Sequence, residues 1–413
     1  MATRRARVAE LIAPSTDLPP ELDAVRQSVF RFVRAEIMPG IDALEREKVF
    51  PRAMIAKMGA AGFFGAAFPE HVGGSDMGFA AVAAISEEIS RTRPDFGYCM
   101  NLQAMTCPFT ILNFGTDAQI AKFVPDLIAG RKIGMFGLTE PGGGSDPAGA
   151  MRTTARRDGT VYRLNGSKQW ITFAHEADTG VLFAKTDPAA GTRGISAFII
   201  QPKEFPGYSA QPIAMKTLSP ILASCAVSLD DFVVPVEHRL GAEGEGFRIA
   251  LNALEFGRLT VSARQVGLAQ ACLEHSIAYA REREVGGAAI GRYQLVQGLI
   301  ADLAVDVHAA RLLVEELAAT MDAGQPANRI ASHAKYFASR TAKNAAAVAR
   351  EIFAGYALAD EFPISFFAGF IDMLSVGEGT ANVQRVLIAE DALGFKDANR
   401  ASMPARKFRK GAA

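Results

Sequence analysis

The chain has 413 residues, 49% of them hydrophobic, and its 44 basic and 44 acidic residues balance to a formal net charge of zero. A chain of this length exceeds what one hydrophobic core usually supports, so we expect two or three domains. A general nucleic-acid-binding surface requires an excess of basic residues, and this chain has none. Its basic runs are short and lie at the two ends of the chain.

Helical periodicity dominates the first third of the chain. Apolar residues recur at helical spacing from Leu22 to Ile37, and Pro39-Gly40 is expected to end that helix. Further helical patterns lie at about 54–59, 79–91, 99–113 and 117–129, the last followed by Gly130. These patterns predict an N-terminal α-helical domain at residues 1–132.

Short runs of β-branched and aromatic residues follow Lys132 and are separated by Gly, Pro and Asp turns. The runs are VYRLNGSKQWITF, GVLFAKT, ISAFIIQ and CAVSLDDFVVP. Within the first run, Asn165-Gly166 has the composition of a tight hairpin turn. The pattern predicts a central β domain at residues 133–240.

Long helical patterns return after a group of glycines at positions 241, 244 and 246. They cover about 247–284, 293–321 and 328–353, and a final helix is predicted after Thr380. The glycines do not complete a GxGxxG fingerprint and no strand leads into them, which argues against a dinucleotide-binding Rossmann site. The pattern predicts a C-terminal helical domain at 241–413.

The stretch FGLTEPGGGSD, residues 136–146, is the first candidate for a binding site. Consecutive glycines let the main chain approach a ligand closely, while Thr139 and Ser145 offer hydroxyl and amide hydrogen bonds. The stretch therefore suits a flat or anionic ligand. The alternative is an ordinary glycine-rich turn between two elements.

Two further stretches favour the interpretation of residues 136–146 as a binding site. GSKQWITFA at 166–174 contains the only tryptophan, and VGEGTANVQR lies at 376–385. In this order, the three stretches resemble the paired flavin-binding signatures and the catalytic Glu-Gly-Thr of the acyl-CoA dehydrogenase family. The resemblance extends over nearly the whole chain. It implies a mainly α fold with a central β domain: an N-terminal helical domain, a β-barrel-like middle domain and a C-terminal four-helix bundle.

The resemblance assigns the catalytic base to Glu378, whose alternative interpretation is a surface carboxylate beside a turn. A subset of the family places its base one residue before the arginine that here is Arg258, but this chain has Gly257 there. Glu255 is therefore a distant second candidate. Arg258 matches a substrate-pocket arginine, although a solvated helix arginine is an equal alternative. The substrate contacts implied are Ser145, Glu255, Arg258, Gly377 and Gly379.

The resemblance also implies FAD as cofactor. The residues expected to line the flavin are Phe136, Leu138, Thr139, Gly144, Ser145, Trp170 and Thr172, with a buried core tryptophan as the alternative for Trp170. Contacts to the flavin of a neighbouring subunit are implied for Arg283, Gln294, Glu351 and Gly355, and adenosine and pyrophosphate contacts for Thr380 and Asn382. Cross-subunit contacts imply a homo-oligomer, a dimer of dimers and hence a homotetramer.

Several positions depart from the family pattern. Gly286 stands where Phe is usual, Ala354 replaces the first Gly of a pair, and Pro220 replaces an Arg. Glu351 replaces a Gln, and a carboxylate near the flavin pyrophosphate would be repulsive. Glu351 must therefore point elsewhere, meet a cation or weaken FAD binding.

Two departures concern the substrate. Gly377 replaces the Tyr that several straight-chain enzymes carry beside the base, which leaves room for branched, cyclic or carrier-protein-bound acyl groups. The segment around Thr139 to Asp146 is very similar to that of glutaryl-CoA dehydrogenase. The position of the arginine that binds the dicarboxylate there is Gly97 here, so a glutaryl substrate is disfavoured.

The sequence thus predicts α,β-dehydrogenation of an acyl-CoA or acyl-carrier-protein thioester to the trans-2-enoyl thioester. Electrons would pass to an electron-transfer flavoprotein, in fatty-acid or amino-acid catabolism. The alternatives are a same-fold flavin oxidase or monooxygenase, against which Glu378 argues, and a biosynthetic enoyl-thioester reductase. A non-enzymatic, flavin-bearing binding or scaffold protein is the third.

Cysteine, histidine and apolar spacing indicate the surroundings. The four cysteines are scattered without a CxxC pair, which favours a reducing compartment. The six histidines lie singly, so no metal site is expected. No apolar run reaches the roughly 18 residues of a membrane span, and the N-terminus lacks a secretory apolar core. We expect a soluble, cytoplasmic protein with no nucleic-acid or membrane partner.

Overall fold

In the computed structural model, which describes residues 19–215 and 221–409, helical regions precede and follow one β region. The helices before the β region are α1 (Pro20–Phe32), α2 (Met38–Glu47), α3 (Arg52–Ala60), α4 (Gly78–Thr92), α5 (Gly97–Cys99), α6 (Pro108–Phe114) and α7 (Asp117–Ile128). A π-helical segment, Met100–Thr106, continues α5 towards α6. Buried apolar side chains on these helices join the same core as those of the C-terminal helices.

The first helical stripe does not end at Pro39-Gly40, so that prediction is wrong. The chain passes from α1 through a π-helical segment, Val33–Ile37, directly into α2, where Pro39 lies in the first turn. Proline is tolerated there because the N–H that it lacks is one that the first turn leaves unpaired. The helix ends instead at Lys48, which adopts a left-handed conformation with φ of 55°.

Eight strands form the sheet of the middle region. They are β1 (Gly134–Gly137), β2 (Thr154–Asp158), β3 (Val161–Thr172), β4 (Thr179–Lys185), β5 (Ile195–Ile200), β6 (Tyr208–Pro212), β7 (Ser224–Pro235) and β8 (Arg239–Leu240). The strand order is β6-β7-β3-β2-β4-β5-β8, with β1 parallel to β4. A four-residue helix, α8 (Pro147–Ala150), follows the glycine-rich loop after β1.

Asn165-Gly166 is not a hairpin turn, as the sequence suggested, because β3 runs through it without a break. The pairing of β3 with β7 shifts register between Leu164 and Gly166, which marks a β-bulge. Gly166 has φ of 147°, and a Cβ there would lie 2.7 Å from the Cα of Thr153. Glycine is required at this point because two backbones meet there.

The C-terminal helices are α9 (Gly246–Glu282), α10 (Gln294–Asp322), α11 (Asn328–Phe353), α12 (Ile364–Leu374) and α13 (Ala381–Ala392), with a small hairpin of β9 (Glu284–Val285) and β10 (Ala288–Ala289) after α9. Most of α9 is buried, between α4 on one side and α10 and α11 on the other. The sequence did not predict α12. That helix is a short, mostly apolar run, and such a run does not by itself distinguish a buried helix from a buried strand.

The described residues contain no helix with the length and apolar character needed to cross a bilayer. They also contain no cluster of three or more His, Cys, Asp or Glu side chains arranged to hold a metal ion. The four cysteines are all buried and none forms a disulfide. Pro220 lies outside the described residues.

Candidate active site

The loop between α12 and α13 carries the carboxyl group of Glu378 against the middle of α9. A Cβ atom built at Gly257 would lie 2.9 Å from both Cδ and Oε2 of Glu378, so any side chain at Gly257 would displace the carboxylate. Glu378 adopts φ of 58°, a left-handed conformation that is costly for a residue with a Cβ. Such backbone strain persists only where the surrounding structure holds it, and it is most common at functional sites.

The two carboxylate oxygens of Glu378 have different surroundings. Asn101, in the π-helical segment after α5, donates from Nδ2 to Oε1 of Glu378 at 3.0 Å. The same Nδ2 lies 3.3 Å from the hydroxyl of Thr260 on α9. Oε2 is out of solvent contact and has no hydrogen-bond partner among the described residues. One oxygen is therefore held in place while the other is left for a ligand.

Burial raises the pKa of Glu378 to about 7, although the nearby cations Arg258, Lys335 and Arg264 oppose that rise. The residue as a whole is only partly buried, but its carboxyl group lies in the interior. The Lys335 ammonium donates to the carbonyl of Leu374 at 2.9 Å, and burial lowers its pKa to about 7. A carboxylate with a pKa near neutral pH is suited to exchange protons with a substrate.

Arg258 is buried, so the interpretation as a solvated helix arginine is wrong. Its Nε donates to the backbone carbonyl of Glu378 at 3.2 Å, and its Nη1 donates to Asn328 at 2.7 Å. Arg258 therefore holds the loop that carries the carboxylate. Glu255 is also buried, but it accepts hydrogen bonds from the Ala327 amide at 3.1 Å and from the Ser402 hydroxyl.

The two glycines that flank Glu378 in its loop have different surroundings. Gly377 is partly exposed, and a Cβ built there would meet open space. Gly379 has φ of 94°, and a Cβ there would lie 2.7 Å from the amide nitrogen of Gln384. Gln384 also donates to the backbone carbonyl of Gly379 at 3.2 Å. Glycine at 379 thus allows the tight turn into α13.

Trp170 is exposed over 54% of its surface, so the interpretation as a core tryptophan is wrong. It lies at an irregularity of β3, between Lys168 and Ile171, and has φ of 63°. The local backbone thus turns a large apolar ring outward, where a ligand can cover it. Thr172 lies two residues further on, with its hydroxyl 3.3 Å from that of Ser224.

The first two motifs are adjacent in space. The amide of Gln169 donates to the carbonyl of Thr139 at 2.9 Å, which joins β3 to the glycine-rich loop. Leu138 is buried and Phe136 is partly buried on the strand that leads into the loop. Gly144 and Ser145 are exposed at the tip of the loop.

A buried ion pair that the sequence reasoning missed connects these motifs. The ammonium of Lys168 donates to Oε1 of Glu140 at 2.7 Å and to the carbonyl of Leu138 at 3.2 Å. Glu140 also accepts from the amide of Thr153 at 3.1 Å. Burial lowers the pKa of Lys168 to about 8. The sequence signal for this pair is weak: Lys168 is the one charged residue of its motif, but the glycine-rich motif offers two carboxylates, Glu140 and Asp146.

This surface fits a planar cofactor that carries phosphates. Trp170 offers an exposed aromatic wall, and a Cβ built at Gly142 or Gly143 would meet nothing closer than 3.4 Å. At a different place, after the loop that carries Glu378, the N-terminus of α13 also offers backbone donors, and the hydroxyl of Thr380 accepts from the amide of Val383 at 3.3 Å. Asn382 is exposed in the first turn and accepts from Arg385 at 2.7 Å.

A second group of predicted flavin contacts lies at the far end of α9. Arg283 and Gly355 line a surface cavity of about 490 Å³ with Tyr279, Phe353 and Tyr356. The guanidinium of Arg283 lies 5.6 Å from the centre of the Tyr356 ring.

The other residues predicted to contact a neighbouring flavin, and two positions that depart from the family pattern, lie between residues 286 and 354. Gln294 and Glu351 are exposed. Gly286, with φ of 64°, lies in the turn between β9 and β10. Ala354 adopts φ of 50°, a conformation that explains why glycine is usual at its position.

The structure does not bring this second group to Glu378. Gly257, which contacts Glu378, and Arg283 are 26 residues apart along α9, or about 39 Å at about 1.5 Å per residue. An FAD molecule bound beside Glu378 does not span that distance within one chain.

Comparisons with known proteins agree with this arrangement. Family models of acyl-CoA dehydrogenase match in order: the N-terminal domain at residues 19–131, the middle domain at 135–232 and the C-terminal domain at 244–393. A glutaryl-CoA dehydrogenase from Desulfococcus multivorans is 39% identical over 388 residues, covering 93% of this chain and 99% of that protein.

Solved structures match equally broadly. A glutaryl-coenzyme A dehydrogenase in complex with glutaryl-CoA has a TM-score of 0.89 at 38% identity, covering 94% of this chain and 99% of the other. A chain in the structure of the electron transferring flavoprotein of Acidaminococcus fermentans has a TM-score of 0.88 at 34% identity, with coverages of 92% and 99%. The predicted fold class, mainly α with a central β domain, is confirmed. The chain belongs to the acyl-CoA dehydrogenase family of FAD-dependent oxidoreductases.

Proposed function

We propose that Glu378 is the base of an FAD-dependent acyl-CoA dehydrogenase that converts an acyl thioester to its trans-2-enoyl thioester. The observation that supports this most strongly is the state of its carboxyl group. One oxygen accepts a hydrogen bond from Asn101, whereas the other is buried and has no partner within residues 19–215 and 221–409. The position opposite on α9 is a glycine, which leaves room for the carboxylate.

The proposed reaction starts with the ionised carboxylate of Glu378. Oε2 takes the α proton, the electrons of that C–H bond form the new double bond, and a hydride leaves the β carbon. Bound FAD supplies the acceptor for that hydride. The backbone amide of Glu378 polarises the thioester carbonyl, and Arg258 keeps the loop in register through the carbonyl of Glu378.

The cofactor contacts are proposed in two groups. Phe136, Leu138, Thr139, Gly144, Ser145, Trp170, Thr172, Thr380 and Asn382 hold the FAD of their own chain. Arg283, Gln294, Glu351 and Gly355 contact the FAD of another copy. Ser145, Gly377 and Gly379 lie on the substrate side, whereas Arg258 and Glu255 act through the residues they hold.

Two observations support the second group. It lies about 39 Å along α9 from the part of the helix that contacts Glu378. Leu295, at the same end of the molecule, is 86% exposed, and Val285 is 53% exposed, which suits an interface with another copy of the chain. We therefore propose a homo-oligomer, specifically a dimer of dimers.

An electron-transfer flavoprotein is the proposed acceptor of the electrons. The match to a chain in an electron transferring flavoprotein structure supports it. The buried, unpaired cysteines support a reducing compartment, for which we propose the cytoplasm.

The test is anaerobic bleaching of flavin absorbance by a panel of straight, branched, cyclic and ω-carboxylated acyl-CoAs. We expect one class to bleach the wild type, and Glu378→Gln to slow that step by roughly 10²- to 10⁴-fold because the base is lost. Glu70→Gln, at an exposed carboxylate in the N-terminal region, should bleach like the wild type. Normal bleaching by Glu378→Gln, or its loss in Glu255→Gln alone, would contradict the assignment of the base.

A further inference from the structure

Arg264 is a buried cation without a hydrogen-bond acceptor. Its side chain extends from α9, the residue is 1% exposed, and neither Nε nor Nη2 has a hydrogen-bond partner among the described residues. The guanidinium lies 4.6 Å from the centre of the Tyr98 ring, a contact that does not satisfy its N–H groups. Burying a charge in this state is costly, so such a group usually has a partner that is supplied from elsewhere.

Two more unpaired polar atoms lie beside it. The hydroxyl of Ser90 on α4 and the phenol of Tyr98 on α5 are both buried without a hydrogen-bond partner among the described residues. A Cβ built at Gly97 would lie 2.5 Å from both Nε of Arg264 and Oγ of Ser90. Those two atoms are therefore at most about 5 Å apart. Burial raises the pKa of the Tyr98 phenol, so it remains a donor.

This cluster lies on the same face of α9 as the position that contacts Glu378. Gly257, which faces Glu378, and Arg264, seven positions later on α9, lie on the same face about two turns apart. Because helical side chains lean towards the N-terminus, the Arg264 side chain leans back towards Gly257. The two groups interact electrostatically, since Arg264 is one of the cations that lower the pKa of Glu378.

A second helical stretch also has one residue at Glu378 and one at Arg264. Asn101 holds the carboxylate of Glu378, and Gly97 contacts Arg264. These two residues are four positions apart on the continuous helical stretch formed by α5 and the π-helical segment. On both helical stretches, the residue that contacts the proposed base and the residue at the unpaired donors are therefore separated by one to two turns. An acyl chain held beside the base would extend in this direction.

The chemistry of the cluster calls for an anion. Two carboxylates act on Arg264, and each has another role: Glu378 is the proposed base, and both oxygens of Asp95 accept from Arg93 at 2.9 Å. A guanidinium and two hydroxyls supply donors and one positive charge. A carboxylate matches them because its two oxygens accept from a guanidinium in parallel.

We propose that the acyl group of the substrate is short and ends in a carboxylate, which Arg264 binds together with Ser90 and Tyr98. The proposal rests on the function proposed above and adds the residues that set its specificity. It also changes what Gly97 means. The sequence disfavoured a dicarboxylic substrate because Gly97 stands where an arginine was expected, but the space at Gly97 is taken by a guanidinium from α9.

The test compares pairs of acyl-CoAs of equal chain length, one ending in a carboxylate and one in its methyl ester. For the wild type we expect kcat/KM to favour the carboxylate by roughly 100-fold, because the ester leaves a buried guanidinium unpaired. Arg264→Met should lower kcat/KM for the carboxylate by roughly 10- to 100-fold and leave the ester within about 3-fold. Arg264→Lys should recover part of the preference because it restores the charge.

Binding gives a second measurement that does not depend on turnover. The carboxylated ligand should raise the thermal midpoint of the wild-type holoenzyme more than the ester does, and Arg264→Met should remove that difference. Ser90→Ala and Tyr98→Phe should each weaken binding of the carboxylated ligand by about 3- to 10-fold. Flavin content and the thermal midpoint without ligand show that each variant is folded.

The outcomes separate this proposal from the proposed function. Equal bleaching by the two members of every pair would overturn the carboxylate site but leave the dehydrogenase activity in place. If Arg264→Met lowered kcat/KM equally for the carboxylate and its ester, the carboxylate site would also be overturned. The arginine would then act in the dehydrogenation step that both substrates share. If no acyl-CoA of any class bleached a flavin-loaded wild type, the proposed function itself would fail.

Discussion

Two clusters of buried side chains lie between α4 and α9, and they differ in how far their charges are paired. In one, Arg91 donates to Glu88 at 2.5 Å and to Glu274 at 2.9 Å, while Arg311 donates to Glu87 at 2.8 Å. The other contains Arg264 with the unpaired hydroxyls of Ser90 and Tyr98 described above.

The two clusters are close in sequence. Ser90 immediately precedes Arg91 on α4, and Glu274 lies ten positions after Arg264 on α9. Similar burial on the same helices thus yields two outcomes. In the first cluster, here called the closed network, the charges pair with one another and hold the helices in place. In the second, the open cluster, the donors are available to a ligand, and leaving them unpaired lowers stability.

The largest effect is expected from opening the closed network. Arg91→Met leaves Glu88 and Glu274 without their shared cation in a dry interface, so the free energy of unfolding should fall by about 3–5 kcal/mol. The measurement is denaturant and thermal unfolding of the holoenzyme. Arg329→Met, which removes a half-exposed partner of Asp391, is the matched control and should cost far less because solvent screens that pair. Equal losses in the two variants would mean that burial does not distinguish these pairs.

A smaller effect should come from Glu378 at the near end of the open cluster. Its pKa in the fold, about 7, exceeds the ordinary value of 4.5, so the neutral form is favoured. The associated stability is fully present below pH 4.5 and is lost as pH rises through 7. Between pH 4.5 and 8 the wild type should lose about 3 kcal/mol relative to Glu378→Gln. A constant difference across that range would show that the carboxyl group titrates normally.

The third effect should have the opposite sign to the first. Arg264→Met removes a buried, unpaired guanidinium and replaces it with an apolar chain of similar length. Its free energy of unfolding should stay the same or rise, by up to about 1 kcal/mol after the lost contact with Tyr98 is allowed for. The same unfolding measurement, without ligand, decides the matter. A loss as large as that of Arg91→Met would mean that Arg264 holds the fold and is not reserved for a ligand.

The smallest effect concerns the pH profile of flavin reduction. The rate should rise with pH through about 7 as Glu378 ionises. Because Arg264 helps to lower the pKa of Glu378, Arg264→Met should move the profile upward with an ester substrate. Arg91 is not among the charges that act on Glu378, so Arg91→Met should leave the profile in place. An unmoved profile in Arg264→Met would separate the two groups electrostatically.

Local sequence patterns were enough to predict the fold class and to single out Glu378 as the candidate base. Helices such as α1 and α11 repeat their apolar residues at the helical period, so their presence follows from neighbouring residues alone. Glu378 lies in a contiguous motif, and the motif carries its chemistry with it. The same reasoning failed where context overrides a local signal: at Pro39, at Asn165-Gly166, and in α12, which is a short, mostly apolar run.

The sequence by itself determined the family and the order of the regions, and it singled out Glu378 as the proposed base. Only the tertiary structure decided that Trp170 faces outward, that Asn101 holds the base, and that the guanidinium of Arg264 lies against Gly97. The physical reason is that these are contacts between elements far apart in the chain. A periodic pattern reports whether a residue is buried, but it does not report which side chains share its surroundings or whether a buried charge has found a partner.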